Sequence, residues 1–149
     1  MKRVVVLSLL FLAALFVFGQ GENQKPSRVP AYNAGPPKKG VFVPPILPQD
    51  ALWGENFRFA YQSHAYELAS KVSDVIYQQP CYCYCDRIGH NSLHSCFEST
   101  HAAGCAACLR ELYYSYQQTR QRKSPAQVRQ GIIRGEWKQI DLDQAASIQ

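Results

Sequence analysis

The chain predicts an all-α fold: a small cysteine-rich domain of about three helices with an irregular Cys/His loop, placed after a signal peptide and a Pro-rich linker. Three observations carry that reading. Apolar residues recur at three- and four-residue steps in three separate stretches, the mark of helices with one buried face. Ser124, Pro125 and Gln127 together spell a helix start. No segment alternates polar and apolar residues with period two for long enough to make a strand.

The first helix is expected near 57 to 79, where Tyr61, Ala65, Leu68, Val72, Val75 and Ile76 form a stripe that Pro80 ends. The second is expected near 103 to 121. Its stripe runs through Cys105, Cys108, Leu109, Leu112, Tyr113 and Tyr116, leaving Arg110, Glu111, Gln117, Gln118 and Arg120 for solvent. This sets two cysteines on a buried helix face. The third is expected near 125 to 135, capped by Ser124 and Gln127, burying Val128, Ile132 and Ile133 and stopped by Gly135, with Trp137 packing back beneath it. Between the first two, Ser92 is placed to cap a short turn bearing Leu93, Cys96 and Phe97. His64, far from the cysteines in sequence, reads as structural.

Ahead of the helices lie two other kinds of chain. Met1, Lys2 and Arg3 make a positive n-region, and Val4 to Phe18 is apolar but for Ser8, as in the h-region of a signal peptide. A helix over that run spans roughly 22 Å at about 1.5 Å per residue, short of a membrane core of roughly 30 Å. Cleavage is therefore expected after Gly19, and the protein is expected to be exported, periplasmic or secreted, with membrane contact only if the segment stays uncleaved as an anchor. From Gln20 to Pro48 the chain holds seven of its nine prolines, which reads as a disordered linker. Val41, Phe42, Val43, Ile46 and Leu47 are its apolar positions, able to lie on the domain as an extended segment. The expected organisation is a signal peptide over 1–19, the linker over 20–50, the Cys/His-rich helical domain over 51–140 and a tail over 141–149.

Beyond the n-region, 14 basic residues face 11 acidic ones, a net charge of +3 that is too slight and too scattered for nucleic acid. The chain offers no Ser/His/Asp order, paired-carboxylate site, phosphate loop or haem-attachment motif, so no catalytic residues are assigned. What stands out is residues 81–108, which hold all six Cys and three of the four His.

Thiolate sulfur and imidazole nitrogen are the ligands that Zn²⁺ or Cu(I) prefers. Cys81, Cys83, Cys85, His90, His94, Cys96, His101, Cys105 and Cys108 are thus candidate metal ligands, with a zinc or copper ion as the expected partner. On an extended strand, thiols two residues apart sit about 6.6 Å from each other, beyond the roughly 3.8 Å between ligands of one tetrahedral ion. The loop must curl for Cys81, Cys83 and Cys85 to act together. Two other readings stay open. An exported domain with six Cys can be a disulfide framework, and because a bridge between i and i+2 is strained, Cys81, Cys83 and Cys85 would each pair with one of Cys96, Cys105 and Cys108, six of the 15 pairings. Alternatively, Cys105 and Cys108 form a C-x-x-C at a helix N-terminus, the place for a thiol redox pair.

Pro80-Cys81-Tyr82-Cys83-Tyr84-Cys85, then Gly89-His90, Leu93, Cys96-Phe97, His101, Cys105 and Cys108, resemble the bacterial exported proteins named for a PCYCGC or CYCXC motif, a family of unknown function. The resemblance spans roughly Tyr61 to Trp137. It implies a bacterial exported protein, and because the family includes selenoproteins with selenocysteine in place of a motif Cys, it implies chemical reactivity at that position. The chain departs from the motif at Tyr84, where the motif has Gly. Tyr lacks the positive-φ freedom of Gly, which weighs against a tight turn between Cys83 and Cys85.

Overall fold

The computed structural model describes residues 28–149. The expected signal peptide and the start of the Pro-rich segment lie outside the described residues. Among the described residues there are six α-helices and no strand: α1 (Ala60–Lys71), α2 (Ser73–Ile76), α3 (Leu93–Cys96), α4 (Ala106–Arg120), α5 (Pro125–Ile133) and α6 (Leu142–Ala145). None is long and apolar enough to cross a membrane.

The helix expected over 57 to 79 is two helices. It starts late because residues 55–57 form a 3-10 turn and the Phe59 N–H is taken by Gln62 Oε1 at 2.8 Å, which fixes the first turn of α1. It breaks at Val72, whose φ of −127° leaves the helical region, so that Val72 and Ile76 can both reach the core. The second helix is shorter than expected for a related reason. Residues 100–104 form a 3-10 turn and Cys105 is extended, so α4 begins only at Ala106. In α5 the Ser124/Gln127 box is formed in both directions, and the chain leaves the helix at Gly135 with φ +79°.

The long helix α4 is the axis of the domain. One face packs on α1, burying Leu109, Leu112 and Tyr113 against Ala65, Leu68 and Ala69. Each large apolar side chain removed from water in this way contributes about 1.5–3 kcal/mol. A second face carries Tyr114, which joins Val128, Ile132 and Trp137 in a smaller cluster, with Trp137 under α5 as its position suggests. The expected tail is part of the fold. Asp141 caps α6 through the Asp143 N–H at 3.0 Å, and Leu142, Ala145 and Ile148 pack into the main core.

The proline-rich segment from Arg28 to Pro48 lies against the domain. Prolines deny it a ladder of its own, so it is held by side chains and isolated backbone bonds. Leu47 N–H donates to Phe97 O at 2.9 Å, Asn33 Nδ2 donates to Tyr77 O at 2.9 Å, and Arg28 pairs with Asp86 at 2.7 Å. Of its apolar positions, Ile46 and Leu47 pack on the core while Val41 and Phe42 stay exposed.

Candidate metal centre

The cysteine loop leaves α2 at Pro80 and returns to α3, and a single residue ties both ends. Gln79 is fully buried, its carbonyl accepts the Leu93 N–H at 2.9 Å, and its side-chain Nε2 donates to Val75 O and Pro125 O. Inside the loop the chain curls twice. Tyr84 N–H donates to Cys81 O at 3.1 Å, closing one turn, and Tyr84 takes φ +57° and ψ +33°, opening the 3-10 turn Cys85–Ile88. The tight turn that Tyr84 weighed against is therefore made by Tyr84 itself, in a left-handed conformation that costs a non-glycine residue about 1–2 kcal/mol.

This curl gathers the three motif thiols. Cys83 Sγ lies 2.9 Å from Cys81 Sγ and 2.8 Å from Cys85 Sγ. The first turn of α4 adds Cys108, 3.4 Å from Cys81 and 3.5 Å from Cys83. Cys96 comes from the last residue of α3, and His101 from the 3-10 turn before α4, with His101 Nε2 3.0 Å from Cys85 Sγ. Two four-donor groups result: Cys81, Cys83, Cys96 and Cys108, and Cys83, Cys85, Cys96 and His101. Within each, every ligand atom lies within 4.8 Å of the others. Such a group can hold a metal ion.

Three of the sequence candidates stand apart from these groups. His94 is buried and turned away, its Nδ1 on Glu98 Oε1 at 3.0 Å and its ring edge-on to Tyr77. Being two residues before Cys96 on a helix, it points to a different face. His90 is a neighbour, with Nδ1 3.4 Å from Cys96 Sγ and its ring against that of His101. Cys105, at the N-cap of α4, is half-exposed at the rim and belongs to neither group. Ser92 does occupy the N-cap of α3, but its hydroxyl makes its contact with Asn91 and not with the helix. All six cysteines are free thiols, so the disulfide framework is not formed.

The electrostatics follow from crowding and burial. Cys83 is held well below the usual thiol range by the crowding of the Cys105, Cys108 and Cys81 thiols around it. Cys108 is pushed up by the same crowding, with Cys105, Cys81 and Cys83 as its neighbours. Burial lifts the Cys85 thiol, with the neighbouring Cys83 adding to it. Burial also lowers His90, and His101 beside it adds to that.

One residue of the site reads as solvent-facing from the sequence. Glu111 is completely buried beneath the cluster, where its Oε1 accepts the Tyr82 N–H at 2.8 Å and so fastens the cysteine loop to α4. Burial pushes its carboxyl up to about 8, against the lowering effect of the Tyr82 bond. The signal was its spacing. Glu111 is three residues after Cys108, on the same helix face.

No protein-family model matches this chain, and no curated protein and no solved structure matches it.

Proposed function

We propose that this is an exported protein whose helical domain binds a soft metal ion, zinc or copper(I), through its Cys/His cluster. The observation that carries the reading is the convergence of five thiols and one imidazole into two four-donor groups. Sulfur and nitrogen donors without a single carboxylate among them select soft and borderline ions over calcium or magnesium. The loop is also built to hold them. Gln79 and Glu111 fasten it at both levels, at the expense of a buried carboxyl and a left-handed tyrosine, costs that a loop with no ligand to organise has no reason to carry.

Export is proposed from the n- and h-regions of residues 1–18 and from the resemblance to the exported PCYCGC proteins. In an oxidising compartment, bound metal is also what keeps such thiols reduced, since a coordinated thiolate is not free to be oxidised.

The test is elemental analysis with a thiol count on the full chain, isolated without chelator. Metal in whole-number ratio with six titratable thiols after unfolding supports the reading. Absence of metal together with absence of free thiols would replace it with the disulfide domain, and one locked Cys105–Cys108 pair with four free thiols would replace it with the redox pair.

A further inference from the structure

The two four-donor groups are not separate, because Cys83 and Cys96 belong to both. Cys81 and Cys108 complete one group, while Cys85 and His101 complete the other. Six side chains thus outline two tetrahedra sharing an edge. Cys83 lies between terminal donors of both groups, 2.9 Å from Cys81 and 2.8 Å from Cys85, and these sulfurs must spread toward the roughly 3.8 Å of tetrahedral co-ligands as metal enters. Cys96 occupies the opposite end of the shared edge, fully buried, so the edge runs from the half-exposed loop into the core.

Resting on the metal-binding reading above, we propose that the centre holds two soft metal ions bridged by the Cys83 and Cys96 thiolates. Cys81 and Cys108 are terminal on one ion, and Cys85 and His101 on the other. A single ion in either group uses four donors and strands two, and a stranded pair such as Cys85 and His101 remains 3.0 Å apart beside it. Charge argues the same way. One divalent ion on Cys81, Cys83, Cys96 and Cys108 leaves a formal −2 with Cys85 unused, whereas two ions let all five thiolates bind at a formal −1, in a site where Cys81, Cys85, Cys96 and Cys108 are all buried. Among the described residues no lysine or arginine hydrogen-bonds to a cluster thiol, so the ions themselves must supply the balancing charge. His90 Nδ1 lies 3.4 Å from the bridging Cys96 sulfur, within hydrogen-bonding reach of it.

The experiment is titration of the reduced full chain with ¹¹³Cd²⁺ under anaerobic conditions, read by stoichiometry and by ¹¹³Cd NMR. The expected result is two equivalents and two resonances that split each other through the shared sulfurs. His101→Ala is expected to weaken the second equivalent more than about tenfold while the first is retained. Saturation at one equivalent with one resonance overturns the two-ion centre and leaves metal binding standing. Two resonances without mutual coupling overturn the bridge. A chain that takes up no cadmium overturns the metal-binding reading itself.

Discussion

Cys83 and Cys85 bring their sulfurs to 2.8 Å across two residues because Tyr84 between them is left-handed, with φ +57°. The backbone of Tyr84 is thus what shapes the cluster. Its side chain does something separate, lying edge-on to Tyr82 under the guanidiniums of Arg28 and Arg87. Replacing Tyr84 with Gly relieves strain of about 1–2 kcal/mol and gives up cation–π contacts of about 0.5–1 kcal/mol each. The expected outcome is stability within about 1 kcal/mol of the parent and unchanged metal content. Tyr84→Val, which a β-branched side chain makes far worse at positive φ, is expected to cost about 2 kcal/mol or more and to weaken metal retention. Denaturant unfolding of both variants, with metal content measured alongside, checks this. Loss of metal in the Gly variant would show that the side chain, not the turn, organises the thiols.

The two histidines nearest in sequence to Cys96 and Cys105 separate a proposed ligand from a packing residue. His101→Ala removes a donor at 3.0 Å from Cys85 and should lower metal affinity without unfolding the domain. His94→Ala removes a buried hydrogen bond to Glu98 and should cost about 1–3 kcal/mol of stability with metal stoichiometry intact. Equal metal loss in both variants would contradict the geometry.

Much of this was legible in the sequence, and the parts that were not share a physical cause. The apolar stripes place α4 and α5 because periodicity reports which face is buried. They do not report a break within a buried face, and so α1 and α2 read as one helix until the φ of Val72 is seen. The concentration of Cys and His marks the site, but which imidazole enters depends on helix phase, and α3 is only four residues long. Residue type was the misleading signal for Glu111, since a carboxylate on an amphipathic helix is ordinarily solvated. Leu142, Ala145 and Ile148 span too few turns to announce α6, and tertiary contact with the core decides it.

Glu111 supports a sharp distinction between charge and hydrogen bonding. Glu111→Gln keeps an oxygen for the Tyr82 N–H and is expected to leave stability within about 1 kcal/mol of the parent. Glu111→Leu leaves that donor without its partner and should cost about 1–3 kcal/mol while loosening the loop. Thermal unfolding and amide exchange at Tyr82 are the measurements, and faster exchange in the Leu variant alone is the expected pattern.

The Tyr114 hydroxyl donates to Glu136, and Arg134 pairs with the same carboxylate. Together, Tyr114 first and Arg134 second, they hold Glu136 below the usual carboxylate range. A folded-state pKa lowered in this way contributes stability above the ordinary value of 4.5 that is lost as pH falls through the folded pKa. Tyr114→Phe should move the Glu136 midpoint upward in a carboxyl NMR titration, and an unmoved midpoint would assign the effect to Arg134 alone.

That same contact explains a glycine inside a helix. Gly131 sits within α5, where glycine ordinarily costs about 1 kcal/mol relative to alanine, so Gly131→Ala would be expected to stabilise on propensity alone. Here the tertiary contact opposes it. A Cβ on Gly131 would fall inside contact distance of the Tyr114 hydroxyl and 2.7 Å from Glu136 Oε2, because the Tyr114–Glu136 pair lies directly across the α5 backbone. Tyr114 is buried among Val128, Ile132 and Trp137 and has little room to retreat. Gly131→Ala is therefore expected to destabilise by about 1–3 kcal/mol, through overpacking and loss of the hydroxyl's bond. Adding Tyr114→Phe removes the clashing oxygen, so the double variant should recover part of that loss and score better than the sum of the two single changes. Denaturant unfolding of the four chains measures the coupling directly, and strict additivity would mean that α5 shifts aside to accommodate the methyl group.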